Sequence, residues 1–481
     1  MKLTLTEGVG GYSVERQPAA DRATAWVHSF ALRSVAISVL MLVPCFWQPR
    51  IEAGDLASHI YNTWLVQLVE QGKAPGLWIS HKQTNVIFDY ALSLLSSQFG
   101  FVQAQKIGVS LSVLLFFWSA FTFVSVFAGK RPWFLVPCLG MLTYGVIFSI
   151  GSFNYYIALA LSFFALACFL KPTPTRIAAA LALLALSWLG QPLPALWVVC
   201  TIGYISIAKK LSPRYRMLQF IASLVLLIGL RLFLLHYFIA LWSPRQILYV
   251  TGADQVVTFG QPYRWIFLAL LGLWAVSIVR VVKARGLRSF PCSIPVQLYA
   301  LCAIGAFLLP NSIWFPGYAA FYSDIPQRFS LIAGVLACVV ISEVKPTRLQ
   351  VGLFSLVTVC FFGLMCRDAV AMNRLESKIE SVVSQLPPNA RVIGRFYYPA
   401  THGMDISMIL DRACIEKCFS YGNYEPSTQQ FRVRANVGNT IVAPVQKVPF
   451  QAQYSSDSGA GPLHEIYACG LQAVDLCVRR L

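Results

Sequence analysis

The chain has 481 residues, of which 57% are hydrophobic and 12% charged, with a mean hydropathy of +0.62. So apolar a composition excludes an ordinary soluble protein. A net charge of +18 would suit a nucleic-acid binder, but the basic residues sit in short clusters between apolar runs. No aromatic-basic platform for bases accompanies them, so no nucleic-acid partner is expected.

A hydrocarbon core roughly 30 Å thick needs about 20 mostly apolar residues per helix, and such runs recur from Ala31 to Cys366. Period-two alternation is absent, so they read as helices rather than barrel strands. Residues 1–28 are polar, carry Arg16 and Arg22, and precede a run with no small-residue cleavage site. That run therefore reads as a retained anchor behind a cytoplasmic tail.

Eleven spans are placed near 29–48, 107–128, 134–150, 153–170, 176–191, 194–208, 217–241, 265–282, 295–310, 328–343 and 350–366. Starting inside, five basic clusters fall in the cytoplasm, where Lys and Arg are in excess. They are Lys130 and Arg131; Lys171 and Arg176; Lys209, Lys210, Arg214 and Arg216; Arg280, Lys283, Arg285 and Arg288; and Lys345 and Arg348. Segment 176–208 reads either as two crossings or as a re-entrant pair lining a cavity.

Between Val27 and Cys366 only seven carboxylates occur: Glu52, Asp55, Glu70, Asp89, Asp254, Asp324 and Glu343. This topology puts all but Glu343 outside. Four of them share the first outer loop, 50–106, where Ile60, Tyr61, Trp64, Leu65, Leu68 and Val69 make one face of a helix over 56–71. Too short and too polar to span, that helix is expected along the outer interface. Asp55 stands at its start either as a cap or as a carboxylate held at the membrane surface, with His59 one turn on. Proton transfer needs a carboxylate or imidazole, and a departing phosphate needs cations. Glu52, Asp55, His59, His81 and Asp89 in this loop, with Arg245, Arg264 and Arg328 in later outer connections, supply both. Asp324, Trp314 and Tyr322 lie beside Arg328 in the outer connection 311–327.

The tail, 367–481, holds ten of the twenty acids and is expected outside as a small α/β domain. It opens with an amphipathic helix over 371–385 and a strand from Arg391. Cys414, Cys418, Cys469 and Cys477 allow two bridges in one of three pairings, which spacing does not choose among. Tyr424 to Arg434 reads as ordinary surface or as an acceptor-recognition segment.

A first span, an outer loop with an acid just before an interfacial helix, many further spans and an outward tail resemble the GT-C superfamily. These are integral-membrane glycosyltransferases that use lipid-phosphate sugars. Gly54, Asp55 and His59, the stretch from Gly72 to Trp78, and residues 85–95 carry the resemblance, which covers the first 110 residues and the layout. It implies a polyprenyl-phosphate sugar donor, a lipid, glycan or protein acceptor, and residence in the plasma (inner) membrane. Asp55 takes the place of base on the acceptor. Arg328, with Arg245 or Arg264, offsets charge on the leaving phosphate, and Glu52, His59, His81, Asp89 and Asp324 line the substrates. Leu56 follows Asp55 where many relatives carry a second acid, so metal use stays open; no soluble cofactor and no metal ligand is assigned. The rival readings are a flippase for a lipid-linked saccharide and a non-catalytic envelope assembly protein.

Overall fold

The computed structural model describes residues 19–316, 321–395, 408–428, 431–443, 462–469 and 475–481. The first helix, α1 (Ala19–Phe46), carries Pro44 inside it, and the chain up to Val43 forms a unit of its own.

In the second unit, α2 (Leu56–Glu70), β1 (Leu77–Ile79) and α3 (Ile87–Phe99) make up the first long loop. Then come α4 (Phe101–Ala128), α5 (Val136–Thr143), α6 (Val146–Ser149), α7 (Phe153–Leu170), α8 (Pro174–Gly190), α9 (Pro192–Ala208) and α10 (Pro213–Tyr237). β2 (Ile239–Leu241), α11 (Tyr263–Arg285), α12 (Ile294–Leu308), β3 (Ser312–Trp314), α13 (Ile325–Ile341) and α14 (Arg348–Val383) complete the bundle.

Among the described residues five helices, α4, α7, α10, α11 and α14, are long and apolar enough to cross a membrane, and six shorter apolar helices accompany them. In α10 no residue is buried by protein, and Val225, Leu226 and Leu232 are exposed. Such a surface is stable only against hydrocarbon, so this is a multi-pass membrane protein.

Segments that charge asymmetry assigns to one side meet one another. Gln255 of the 242–264 connection donates to Gln327 O at 3.0 Å; β2, expected as the end of the 217–241 span, is instead a strand paired antiparallel with β3 of the 311–327 connection. At the other end Arg285 pairs with Glu343 and Arg280 with Gln350.

Three local expectations change. The span near 134–150 is not one helix: a 3-10 turn and α5 stop before Gly145, where a Cβ would sit 2.9 Å from Gln255 O. The helix over 371–385 is not separate either. No Gly or Pro interrupts residues 364–383, so α14 runs unbroken for 36 residues out of the bundle. Helix α2 lies where its periodicity places it, but every residue from Leu56 to Val66 is buried rather than one face. The tail covers it. Tyr61, Trp64 and Leu65 share a core with Leu375 and Ile379 of α14, with Val392, and with Leu410, Cys414 and Ile466.

The tail builds β4 (Ala390–Arg395), α15 (Ile409–Cys414), β5 (Cys418–Ser420), α16 (Tyr424–Thr428), β6 (Val433–Ala435), β7 (Leu463–Cys469) and β8 (Asp475–Arg480). Its sheet has the order β5-β4-β7-β8, parallel except for the β7–β8 pair. β6 pairs instead with β1 of the first loop, Trp78 opposite Arg434. The bridges are Cys414–Cys418 and Cys469–Cys477.

A buried ion network fixes this docking. From α15, Arg412 bonds Glu376 of α14 at 2.6 and 2.5 Å, Glu52 at 3.2 Å, Ile51 O at 3.0 Å and Gln105 of α4 at 2.9 Å. Those five bonds use every guanidinium N–H. Asn373 donates to Glu52 at 2.9 Å. Arg50 extends the network to Glu380.

Removing one partner of a buried pair typically costs about 3–5 kcal/mol, because the other charge stays buried. Arg412→Ala is therefore expected to lower the melting temperature of the detergent-solubilised protein and to expose the tail to protease. A variant as stable and protease-resistant as the parent would falsify the clamp.

Burial, then the Glu376 charge, raises the Glu52 pKa to about 8 against the pull of Arg412. A raised carboxyl binds its proton more tightly in the folded state, so stability is full below the unfolded value and declines as pH rises through about 8. Melting measured from pH 5 to 9 should show this decline in the parent and lose part of it in Glu52→Gln; parallel curves would exclude the assignment.

Candidate functional site

The chain enters α2 pressed against the turn before α7. The Asp55 amide donates to Ile150 O at 3.1 Å. Gly151, at φ +79°, could carry no side chain there, since a Cβ would stand 2.5 Å from the Asp55 nitrogen. Asp55 itself has helical backbone angles and makes no cap bond. A capping side chain needs extended backbone, so the cap reading fails. The carboxylate is half-buried and takes a hydrogen bond from the Tyr424 hydroxyl.

One turn on, His59 is buried. Its Nδ1 lies 2.7 Å from Asp89 Oδ1 and 3.9 Å from Glu425 Oε1. Asn154, in the first turn of α7, donates to the other Asp89 oxygen at 3.0 Å and accepts from the Phe88 amide at 2.8 Å. Asp411 is held by Ser420 at 2.5 Å and Asn423 at 2.8 Å, and Asn423 also reaches Ser58 at 3.2 Å. Loop and tail together thus place three carboxylates, Asp55, Asp89 and Glu425, around one imidazole, with a fourth, Asp411, next to Asp55 and Glu425.

Their protons are divided by environment. Burial works against a charge on His59, but Asp89, Glu425 and Asp55 outweigh it and raise its pKa to about 9. Burial likewise favours neutral Asp89, yet His59, Asn154 and Arg432 prevail and hold it below the usual range. Glu425 is pushed well up by burial, with Asp89, Asp55 and Asp411 adding to the effect and His59 opposing it. Asp411 rises to about 7 mainly through burial. At neutral pH the site holds an imidazolium–carboxylate pair, and burial biases the neighbouring Glu425 toward its neutral form.

A cation stands on the far side of the same turn. Arg328, in the first turn of α13, is 8% exposed. It lies 4.6 Å from the Tyr322 ring and 5.3 Å from the Tyr155 ring. Among the described residues its Nε and Nη1 meet no acid and no well-aligned acceptor, although the Tyr322 hydroxyl stands close enough to the guanidinium to feel it; Gln255 Oε1 and Gln327 Oε1 are unpartnered as well. Asp324 does not pair with it: its carboxylate accepts from Ser323 at 2.9 Å, on backbone at φ +60°. A buried cation without an acid is costly, and orphaned donors of this kind mark a place for an anion. The Tyr155 hydroxyl donates to Arg328 O at 2.7 Å. Residues 150–155 therefore touch Asp55, Asp89 and Arg328 within little more than one helical turn.

Other expected residues lie elsewhere. Glu52 belongs to the Arg412 network. His81 is exposed, as are Arg245, in the turn Pro244–Tyr249, and Arg264, at the start of α11. Lys82, Arg432 and Arg434 flank the cluster, with Arg432 over Tyr90 at 4.3 Å and bonded to Ser93 at 2.7 Å. Sequence reading missed Asn154, Asp411, Asn423 and Glu425; Tyr424 and Glu425 lay in a segment singled out only for its composition. No group of three or more His, Cys, Asp or Glu among the described residues is arranged to hold a metal ion.

No protein-family model matches the chain, and no curated protein does. Among solved structures, 93% of the chain aligns with 93% of ArnT from Cupriavidus metallidurans, bound to undecaprenyl phosphate, at 13% identity and a TM-score of 0.46. A likeness of that size decides neither family nor chemistry.

The charge state of His59 is open to measurement. Ring nitrogen shifts from labelled protein should report an imidazolium at pH 8 that deprotonates near pH 9, and Asp89→Asn should lower that midpoint by about a unit or more. Titration of the parent near its ordinary value would exclude the ion pair.

Proposed function

We propose that the chain is a GT-C-like transferase that moves a sugar from a polyprenyl-phosphate donor to a hydroxyl of a lipid, glycan or protein acceptor outside the cytoplasm. In this reading eleven segments cross the plasma membrane, residues 1–28 are cytoplasmic, 29–366 form the membrane domain, and 367–481 form an outward α/β domain.

The observation that carries the reading is the pairing of opposites across one turn: a buried guanidinium that pairs with no acid among the described residues, and a carboxylate–imidazole cluster tied to the same six residues. A polyprenyl-phosphate sugar has matching poles, an anionic phosphate and an electrophilic carbon one bond away. Asp55 accepts the proton of the acceptor hydroxyl as its oxygen bonds to the anomeric carbon. The bond from that carbon to the phosphate oxygen breaks, and its electron pair leaves with the lipid phosphate. Arg328 offsets the charge that grows there, an interaction that strengthens as the bond breaks. The His59–Asp89 pair and Tyr424 hold Asp55 in place, and Asp324 orders the turn that presents Arg328. His81, Arg245 and Arg264, all exposed, meet the substrates at the rim. Glu52 makes no substrate contact, because Arg412 and Asn373 occupy it.

Transfer assayed in membranes with a polyprenyl-phosphate sugar should fall roughly a hundred- to ten-thousand-fold in Asp55→Asn. The expected loss in Arg328→Gln is about a hundredfold or more. Both variants should insert and melt like the parent. Undiminished transfer in Asp55→Asn would remove the base from the scheme.

A further inference from the structure

The positive residues at the other end of the bundle form more than a topology signal. Helix α13 carries Arg328 in its first turn and ends two residues before Glu343. Its 17 residues span about 25 Å, so Glu343 lies far from the acid cluster. There a cavity of about 780 Å³ opens among the ends of α4, α10, α11 and α12 and the segment after α13. Lys130, Arg216, Arg285 and Arg288 line it, with Glu343 as the one acid.

Glu343 is engaged by Arg285 at 2.5 and 2.8 Å, and Arg216 Nε donates to Ala208 O at 2.7 Å. Four cations against one carboxylate leave three positive charges, and neither Lys130 nor Arg288 pairs with an acid among the described residues.

A second observation points the same way. Ser293 lines the cavity, is 5% exposed, and its hydroxyl has no hydrogen-bond partner. It is the N-cap of the 15-residue α12 yet makes no cap bond. The Ile294 and Val296 amides precede the first intrahelical bond, which Gln297 makes to Ser293 O. The Ser293 hydroxyl, the Ile294 amide and the positive end of the α12 dipole belong to the same cavity as Lys130 and Arg288, which is how a phosphate is held.

The surroundings choose its carrier. Phe127, Ala128, Ile294 and Pro295 complete the wall. Leu287, between Arg285 and Arg288, is 78% exposed, and Tyr215, beside Arg216, is 58% exposed. Apolar side chains displayed next to a basic cavity at the end of membrane helices fit acyl chains alongside a head group, and basic pockets between such helices hold anionic lipid. We infer that this cavity binds the phosphate head group of an anionic membrane lipid, at the end of the bundle opposite the proposed transfer site. The inference does not depend on the transferase reading.

The test is native mass spectrometry of the full chain in detergent with phosphatidylglycerol or phosphatidylcholine added. The parent should retain phosphatidylglycerol about tenfold better, and excess inorganic phosphate should not displace it. Lys130→Gln with Arg288→Gln should abolish the preference, since each lost charged contact is worth about a factor of ten. Ser293→Ala should weaken binding severalfold, while Arg348→Gln, a basic residue outside the cavity, should change nothing. Ser293→Ala, which alters no charge, decides the matter if the double variant does not fold. Equal retention of the two lipids, or a preference unchanged in the cavity variants, overturns the inference. Displacement by inorganic phosphate alone also overturns it, by making this a site for a free anion.

Discussion

Arg412 is buried with all five guanidinium N–H groups engaged, and the tail's position follows from that requirement. A guanidinium leaves water only where acceptors replace its hydration from every direction. Glu376, Glu52, Gln105 and Ile51 O meet that condition at one placement of α15 against α14, α4 and the first loop. Once α15 is seated, the chain beyond it brings Asn423, Tyr424 and Glu425 over α2. Without that docking Asp55 would lose Tyr424, and His59 would lose Glu425 and keep only Asp89 and Asp55. The acid cluster is thus a product of tertiary docking.

The cluster and Arg328 are opposite charges kept apart in a poorly polarisable setting. Were they in contact they would neutralise each other, and neither would serve a substrate. The first turn of α7 separates them: Asn154 faces Asp89, while Tyr155 holds the backbone of Arg328. The aromatic rings of Tyr155 and Tyr322 partly offset the cost of a buried cation without supplying an acid. Among the described residues, unpartnered amide oxygens on Gln255 and Gln327 belong to the segments that meet before α13.

Both ends of the bundle therefore concentrate charge that the helices between them exclude. At one end acids outnumber bases around a buried imidazole; at the other, cations outnumber acids around an open cavity. Hydrocarbon enforces this separation, because charge within it is expensive. Each end is left free to specialise.

The apolar runs, their helical state and the gathering of basic loops were legible from the residues alone, because each rests on a local quantity: the length of a run, its period, or the sign of charge beside it. The loop helix after Asp55 and the strand from Arg391 were legible for the same reason. Partnership was not. Whether Asp55 capped its helix depended on a backbone angle set by contact with Gly151. Glu52 and Asp89, both acids of one loop, went to different tasks because one met Arg412 and the other met His59. Nothing in the local pattern tied Glu425 to His59, more than 350 positions away, or Asp411 to Ser58, until the fold brought them together. Sequence fixes what each segment must do with water and lipid; only packing across hundreds of residues decides which buried charges share a site and which proton each one keeps.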